Sequence, residues 1–238
     1  MSRTIIVGDV HGCVDELGRL LDALAPGAAD RVLFVGDLVA RGPDTLGVLA
    51  LYREVKGQSV LGNHESKLLS AHRARREGAK RPRLSSLHYA LSYRLADADW
   101  DVLEHLPLTL PLPEHGACLV HAGVLPELDL AAQDAWTLTH IRSIDPRGKA
   151  SARPDFEPWA ARYAGEPHIV FGHNSRLGLQ LRANATGLDT GCVYGGRLTA
   201  LVLGLGERVP SDPEQRRDLM RSVPAARVYH YNRENAPH

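Results

Sequence analysis

Short apolar runs ending in glycine and a polar residue recur along the chain. Thr4-Ile5-Ile6-Val7 leads into Gly8-Asp9, Arg31 to Val35 into Gly36-Asp37, and Ser59-Val60-Leu61 into Gly62-Asn63. Further on, Cys118-Leu119-Val120 ends at His121, and His168-Ile169-Val170-Phe171 ends at Gly172-His173. Runs this short and this rich in β-branched and aromatic residues predict buried strands. Between the first of them the spacing turns helical. Val14, Leu17, Leu20, Leu21 and Leu24 share one helical face, which Pro26-Gly27 ends. Leu46, Val48, Leu49 and Tyr52 predict a second helix, with Pro43 in its first turn. Strand and helix in alternation imply an α/β fold with parallel pairing.

Ser66 to Leu106 reads as a helical insertion, broken near Gly78 and Pro82. Residues 124–167 read as a loop-rich insertion that Trp136 and Trp159 should anchor. Arg197 to Leu205 (RLTALVLGL) is a clear strand. Residues 207–238 form a Pro-rich, charged extension with one strand expected at Ala226 to Tyr231. With no repeat, low-complexity tract or linker, residues 1–238 read as a single domain.

Composition narrows the class. The 238 residues are 44% hydrophobic, enough for a core without staples, and 24% charged, which is ordinary for a globular chain. No apolar run approaches the ~20 residues of a membrane span, and the apolar part of MSRTIIVGDVHG is too short for a signal peptide. Cys13, Cys118 and Cys192 form no paired spacing, so a disulfide framework is not expected. Cys13, at a helix start, should be buried and inert. The expectation is a reduced, cytoplasmic protein. Lys plus Arg balance Asp plus Glu at 28 each, which argues against indiscriminate nucleic-acid binding.

The candidate chemistry lies at the strand ends, where open α/β sheets place their ligands. Asp9 and His11 are two apart, so an extended backbone turns both to one side. Asp37 offers two carboxylate oxygens and can bridge two ions. Asn63 adds an amide oxygen, and His121 and His173 add nitrogens. Oxygen and nitrogen donors without thiolate favour Mn, Fe, Zn or Mg. Taken singly, an Asp or His after a strand usually caps a helix or fills a turn. Six in this arrangement suit two ions about 3.5–4 Å apart, a spacing that clamps a phosphoryl group.

The ordered set GDVHG, GDLVARG, GNHE, HAG and FGH resembles the calcineurin-type metallophosphoesterases, and more narrowly the phosphoprotein-phosphatase superfamily. GDLVARGP and LDTGCVYGGRLTAL are similar to bacterial symmetrical diadenosine tetraphosphatases, and the likeness runs from Ile5 to about Leu203. The resemblance implies a sandwich of two mixed β-sheets flanked by helices. It implies one metal on Asp9, His11 and Asp37 and a second on Asp37, Asn63, His121 and His173. His64 matches the proton donor to the leaving group and Arg41 a phosphate-binding arginine. Arg142 is our choice for the second such arginine. Manganese is the family-based expectation, with iron, zinc, cobalt and magnesium as alternatives. The implied reaction is metal-dependent hydrolysis of diadenosine tetraphosphate to two ADP, with a metal-bridging hydroxide as nucleophile. Serine/threonine or tyrosine protein phosphatase activity and removal of nucleoside-polyphosphate caps from RNA 5′ ends are the alternatives on the same site. A metal-binding scaffold without catalysis is a further one, which would need no His64 beside six ligands. No membrane partner is expected, and the oligomeric state is left open.

One position departs from the protein-phosphatase pattern. Ala40 stands where those enzymes carry an Asp that pairs with the catalytic His. His64 should then be less oriented and less readily protonated. That favours a nucleoside diphosphate as leaving group, whose second phosphate ionisation lies near ~6. Tyr194 is expected either to stack on a nucleobase or to pack. Asp189 should hold a turn or support a metal-bound His. Lys67, Arg73, Arg75, Arg76, Lys80, Arg81 and Arg83 form either a solvated helix face or a rim that attracts polyphosphate. His88 and His105 read as ordinary core or surface residues.

Overall fold

The computed structural model of the protein describes residues 2–80 and 82–231. In chain order, β1 (Arg3–Val7), α1 (Val14–Leu24), β2 (Arg31–Phe34), α2 (Thr45–Glu54) and β3 (Gln58–Ser59) form the first half. Three helices follow: α3 (Asn63–Arg76), α4 (Ser86–Ser92) and α5 (Asp97–Glu104). Next come β4 (Thr109–Leu112), β5 (Ala117–Val120), α6 (Ala135–His140), β6 (Ser143–Ile144), β7 (Ala150–Ser151), β8 (Glu157–Pro158) and α7 (Trp159–Arg162). The chain then runs through β9 (His168–Phe171), β10 (Gln180–Arg182), β11 (Ala185–Gly187), β12 (Arg197–Gly204), α8 (Pro213–Asp218) and β13 (Met220–Pro224).

Two five-stranded mixed sheets result, in the orders β13-β12-β1-β2-β3 and β10-β11-β9-β5-β4. Each has a parallel centre, β1-β2-β3 and β5-β9-β11, with antiparallel strands beyond it. Strand periodicity explains the packing. Ile6, Leu33 and Val35 meet Leu119, Val170, Leu188 and Leu201 in one apolar layer. Their neighbours Ile5, Val7, Val32 and Phe34 pack with Leu17, Leu20, Val48 and Leu49 of α1 and α2. Cys118, Val120, Ile169 and Phe171 pack with Leu138 and Trp159. Both faces of the central strands are covered, which is why they read as unbroken apolar runs.

Several sequence expectations need correction. Ser59–Leu61 keeps only Gln58–Ser59 as strand, because Leu61 N turns away to donate to Pro107 O at 2.7 Å. Pro43 precedes the second helix; Asp44 is its cap, accepting from Gly47 N at 2.9 Å. The strand expected at Ala226–Tyr231 is absent, and β13 forms at Met220–Pro224 instead. Met-Arg-Ser-Val-Pro shows no apolar alternation because it is a half-exposed edge strand. The 124–167 insertion is not only loop, since β7-β6-β8 make a small sheet there. Trp159 anchors it as expected, buried with Nε1 donating to Ala122 O at 3.0 Å. Trp136 does not; it is 46% exposed and stacks on His140.

The C-terminal extension ties the sheets together. β13 extends the first sheet along β12, while α8 inserts Arg216 into the second. The fully buried Arg216 guanidinium donates to His168 Nε2 (3.0 Å), Thr186 Oγ1 (2.9 Å) and the Arg182 carbonyl. Burial, and then the Arg216 charge, push His168 down to about 3, leaving it a neutral acceptor.

At the other terminus, Arg3 fastens β1 to the turn before β2. Its N and Nη2 donate to Asp30 at 2.7 and 2.6 Å, and Gly27 N donates at 3.0 Å. These bonds, those from the Arg3 side chain first, hold Asp30 down to about 2, against an ordinary 3.8. The folded state thus binds fewer protons, so this contribution is complete above pH 4 and is lost as pH falls towards 2. With Arg3 about a third exposed, solvent screening limits it to about 1 kcal/mol. Asp30→Asn should lower stability by that amount at pH 7 and flatten the acid limb between pH 4 and 2 in urea melts. An unchanged acid limb would refute the assignment.

Candidate metal centre

The loops after five strands deliver the six expected ligands to one place. Asp9 and His11 follow β1, Asp37 follows β2, and Asn63 opens α3 after β3. His121 follows β5 and His173 follows β9. The backbone there is strained to bring them in. Among the described residues, five of the seven non-glycine residues with positive φ are His11, Asp37, Ala40, Arg41 and His173. Two glycines make the convergence possible. A Cβ on Gly172 would lie 1.9 Å from Asp9 Oδ1, and one on Gly62 would lie 2.3 Å from Asp37 Oδ1.

The hydrogen bonds fix where protons are not. His11 Nδ1 donates to Val39 O (3.1 Å) and His121 Nδ1 to Val35 O (2.8 Å), so each ring turns a bare Nε2 inward. Those nitrogens stand 3.4 and 3.5 Å from Asp37 Oδ2. His173 Nε2 donates to His140 O (3.2 Å), which leaves its Nδ1 bare. That nitrogen and His121 Nε2 both face Asn63 Oδ1, at 3.1 and 3.0 Å. Lone pairs therefore converge with no proton between them, an arrangement that repels itself unless a cation sits among them. The donor set fits two divalent ions that share Asp37. His11 would serve one, with Asp9 beside it; Asn63, His121 and His173 would serve the other.

Electrostatics agree with that fit. Burial, then Asp189 and Asp37, push Asp9 well above the usual carboxylate range. Burial also acts to raise Asp37, but His121, His64, His11 and Arg41 outweigh it and hold Asp37 well below that range. Burial lowers all the histidines of the cluster, His11 to about 3, so they are neutral at pH 7 and able to ligate a cation. A bound cation reverses the crowding of negative charge around Asp9.

Arg41 Nη1 donates to His11 Nε2 at 2.8 Å, and its guanidinium lies 5.5 Å from the Tyr194 ring centroid. One face of Tyr194 is thus taken by Arg41, which favours the packing role over free nucleobase stacking. Arg142 lies on the opposite side, its Nη2 donating to His173 O at 3.5 Å. Asp189 accepts from Gly191 N at 3.0 Å and so holds a turn; it bonds no histidine among the described residues. The basic run divides. Lys67 is one turn beyond Asn63 on α3, about 6 Å, whereas Arg76 is about 20 Å away along the helix and pairs with Glu104 at 3.6 Å. Arg73–Arg76 are a solvated helix end; Arg81 lies outside the described residues.

Other groups hold the ligands without announcing themselves in the sequence. Glu65, fully buried, accepts from Asp37 N and Val39 N at 3.0 Å each and so pins the loop that carries Asp37. Its position in GNHE was the available signal. The His140 carbonyl sets the His173 tautomer, for which side-chain chemistry gives no sign. His88, read as ordinary, places Nε2 2.9 Å from His64 Nδ1. His64 is therefore not loose despite Ala40, contrary to expectation. Burial holds it neutral, well below the usual imidazole range, with its ring against His11 at 4.8 Å between centroids.

Comparisons with known proteins agree with this geometry. The calcineurin-like phosphoesterase family profile matches residues 2–204. A symmetrical bis(5′-nucleosyl)-tetraphosphatase of Ralstonia nicotianae is 36% identical, over 82% of this chain and 87% of its own. An asymmetrical bis(5′-nucleosyl)-tetraphosphatase of Halalkalibacterium halodurans is 34% identical, over 82% and 88%. A crystal structure provisionally named a diadenosine tetraphosphatase superimposes with a TM-score of 0.79 at 33% identity, covering 94% of this chain and 93% of its own.

Proposed function

Since the chain belongs to the calcineurin-like phosphoesterases, we propose that it hydrolyses dinucleoside polyphosphates at a two-metal centre, cutting diadenosine tetraphosphate into two ADP. The carrying observation is the convergence of imidazole nitrogens on the Asn63 amide oxygen and the Asp37 carboxylate, with Arg41 beside His11 and Arg142 beside His173. Two divalent ions bound there would supply Lewis acidity and an activated water. Manganese is our choice, because the donors are oxygen and imidazole nitrogen. Three unpaired cysteines favour the cytoplasm.

The residues divide the work. Asp37 would be shared between the two ions. Arg41 and Arg142 bind the polyphosphate and stabilise charge as it develops on the transferring phosphoryl group. The His11 lone pair can serve the Arg41 guanidinium or a cation, not both. With a cation on His11, Arg41 would turn to the phosphate, its guanidinium still beside Tyr194. Neutral His64 donates a hydrogen bond to the departing oxygen. That help suffices for ADP, a good leaving group, and falls short for a serine alkoxide.

The test is product chromatography of diadenosine tetraphosphate after incubation with the Mn-loaded protein. ADP alone is expected. ATP with AMP would overturn the symmetrical cut, an activity that relatives of similar identity carry in their name. Faster turnover of a phosphopeptide or of a nucleoside-tetraphosphate-capped RNA in parallel assays would overturn the substrate.

A further inference from the structure

Ala40 removes the carboxylate that would orient His64, yet the His64 ring is held. The holder comes from α4, a short helix of the segment between the two sheets. His88 is 5% exposed and carries no other assigned role. Its Nε2 lies 2.9 Å from His64 Nδ1, with the rings near-parallel at 26° and 4.8 Å between centroids. Its Nδ1 lies 2.7 Å from Ser85 Oγ, the cap of α4, which also accepts from His88 N at 3.4 Å.

We propose that His88 is a positioning residue, which orients His64 and selects the tautomer that presents an N–H to the leaving group. The inference rests on His64 acting at the departing oxygen. Its direction follows from the donors. A neutral imidazole has one N–H and one bare nitrogen. In the proposed arrangement the Ser85 hydroxyl takes the His88 backbone N–H on its oxygen and turns its own hydrogen to His88 Nδ1. His88 then carries its hydrogen on Nε2 and donates it to His64 Nδ1. His64 must therefore carry its hydrogen on Nε2, the nitrogen that His88 does not engage. Within the cluster, the His11, Asp37 and His64 donors lie within 4.8 Å of one another. Burial favours the neutral forms this requires, with His88 lowered to about 4. No proton is transferred: His64 stabilises the charge that grows on the leaving oxygen as the P–O bond breaks.

The experiment compares wild type, His88→Ala, His64→Ala and the double variant on diadenosine tetraphosphate and on aryl phosphates of rising leaving-group pKa. His88→Ala should lower kcat on the dinucleotide about tenfold, with KM changed less than about twofold. Its deficit should grow along the aryl series, as for His64→Ala, and the double variant should be no slower than His64→Ala. His88→Gln, whose amide can donate to His64 Nδ1, should recover most of the rate, and it keeps the test open should His88→Ala not fold. An equal loss across the series, or independent multiplication of the two single effects, would overturn the role of His88 alone. A His64→Ala variant with unchanged leaving-group dependence would overturn the reading of His64, and this inference with it.

Discussion

Asp37→Asn is expected to lower turnover at least about a thousandfold and to leave no more than one tightly held metal per chain. Asp37 Oδ2 stands 3.4 and 3.5 Å from two bare imidazole nitrogens, while Oδ1 accepts from His64 N at 3.0 Å. An amide has one oxygen to share, and its NH2 cannot ligate. It also removes the negative charge between two dications. A loss of that size is about 4 kcal/mol of transition-state stabilisation. The fold should persist, because Glu65 grips the Asp37 backbone N–H rather than its carboxylate. Steady-state kinetics with metal analysis and thermal melting test all three statements. Two bound metals and near-normal turnover would sink the dinuclear assignment.

Arg41→Ala should cost about 10²–10³ in kcat and leave both metals in place, since no backbone or carboxylate donor is lost. Arg41→Lys should rescue little. A point charge cannot reproduce the planar fork that grips a phosphate, nor lie over Tyr194 as guanidinium does. The positive φ of Arg41, 67°, strains Arg, Lys and Ala alike, so it should leave the melting curves of these variants close to wild type. Turnover within tenfold of wild type would remove Arg41 from the mechanism.

The parts of this protein legible in its sequence were those in which one physical cause dominates. Strands buried on both faces must be apolar throughout, so β1, β2, β5 and β9 stood out. Oxygen and nitrogen donors at strand ends are conspicuous, so the six residues that converge were nameable as candidates. The fixing of those ligands was less legible, because it rests on backbone atoms. The carbonyls of Val35, Val39 and His140 orient three histidines, and any residue could supply them. His88 stayed hidden because it lies 24 residues from His64, on the next helix. β13 stayed hidden because an edge strand need bury little. The extension to which it belongs begins just past residue 204, where the family match ends.

The strand just before that extension, β12, bears on when the candidate metal centre can assemble. β1 lies in the middle of its sheet, flanked on one side by β2 and on the other by β12, with Ile6 opposite Leu201. Gly8 N, one residue before Asp9, donates to Thr199 O, and both Asp9 oxygens accept from His173 N. The ligands synthesised first are thus seated by residues made more than 160 positions later. Contacts this remote in sequence form slowly, since loop closure must precede any gain from them. A nascent chain can assemble β2, β3 and the first helices on the ribosome but must leave one side of β1 without its partner. Assembly of the candidate centre therefore waits on the second half of the chain: Asp9 is seated only once His173 and β12 are in place.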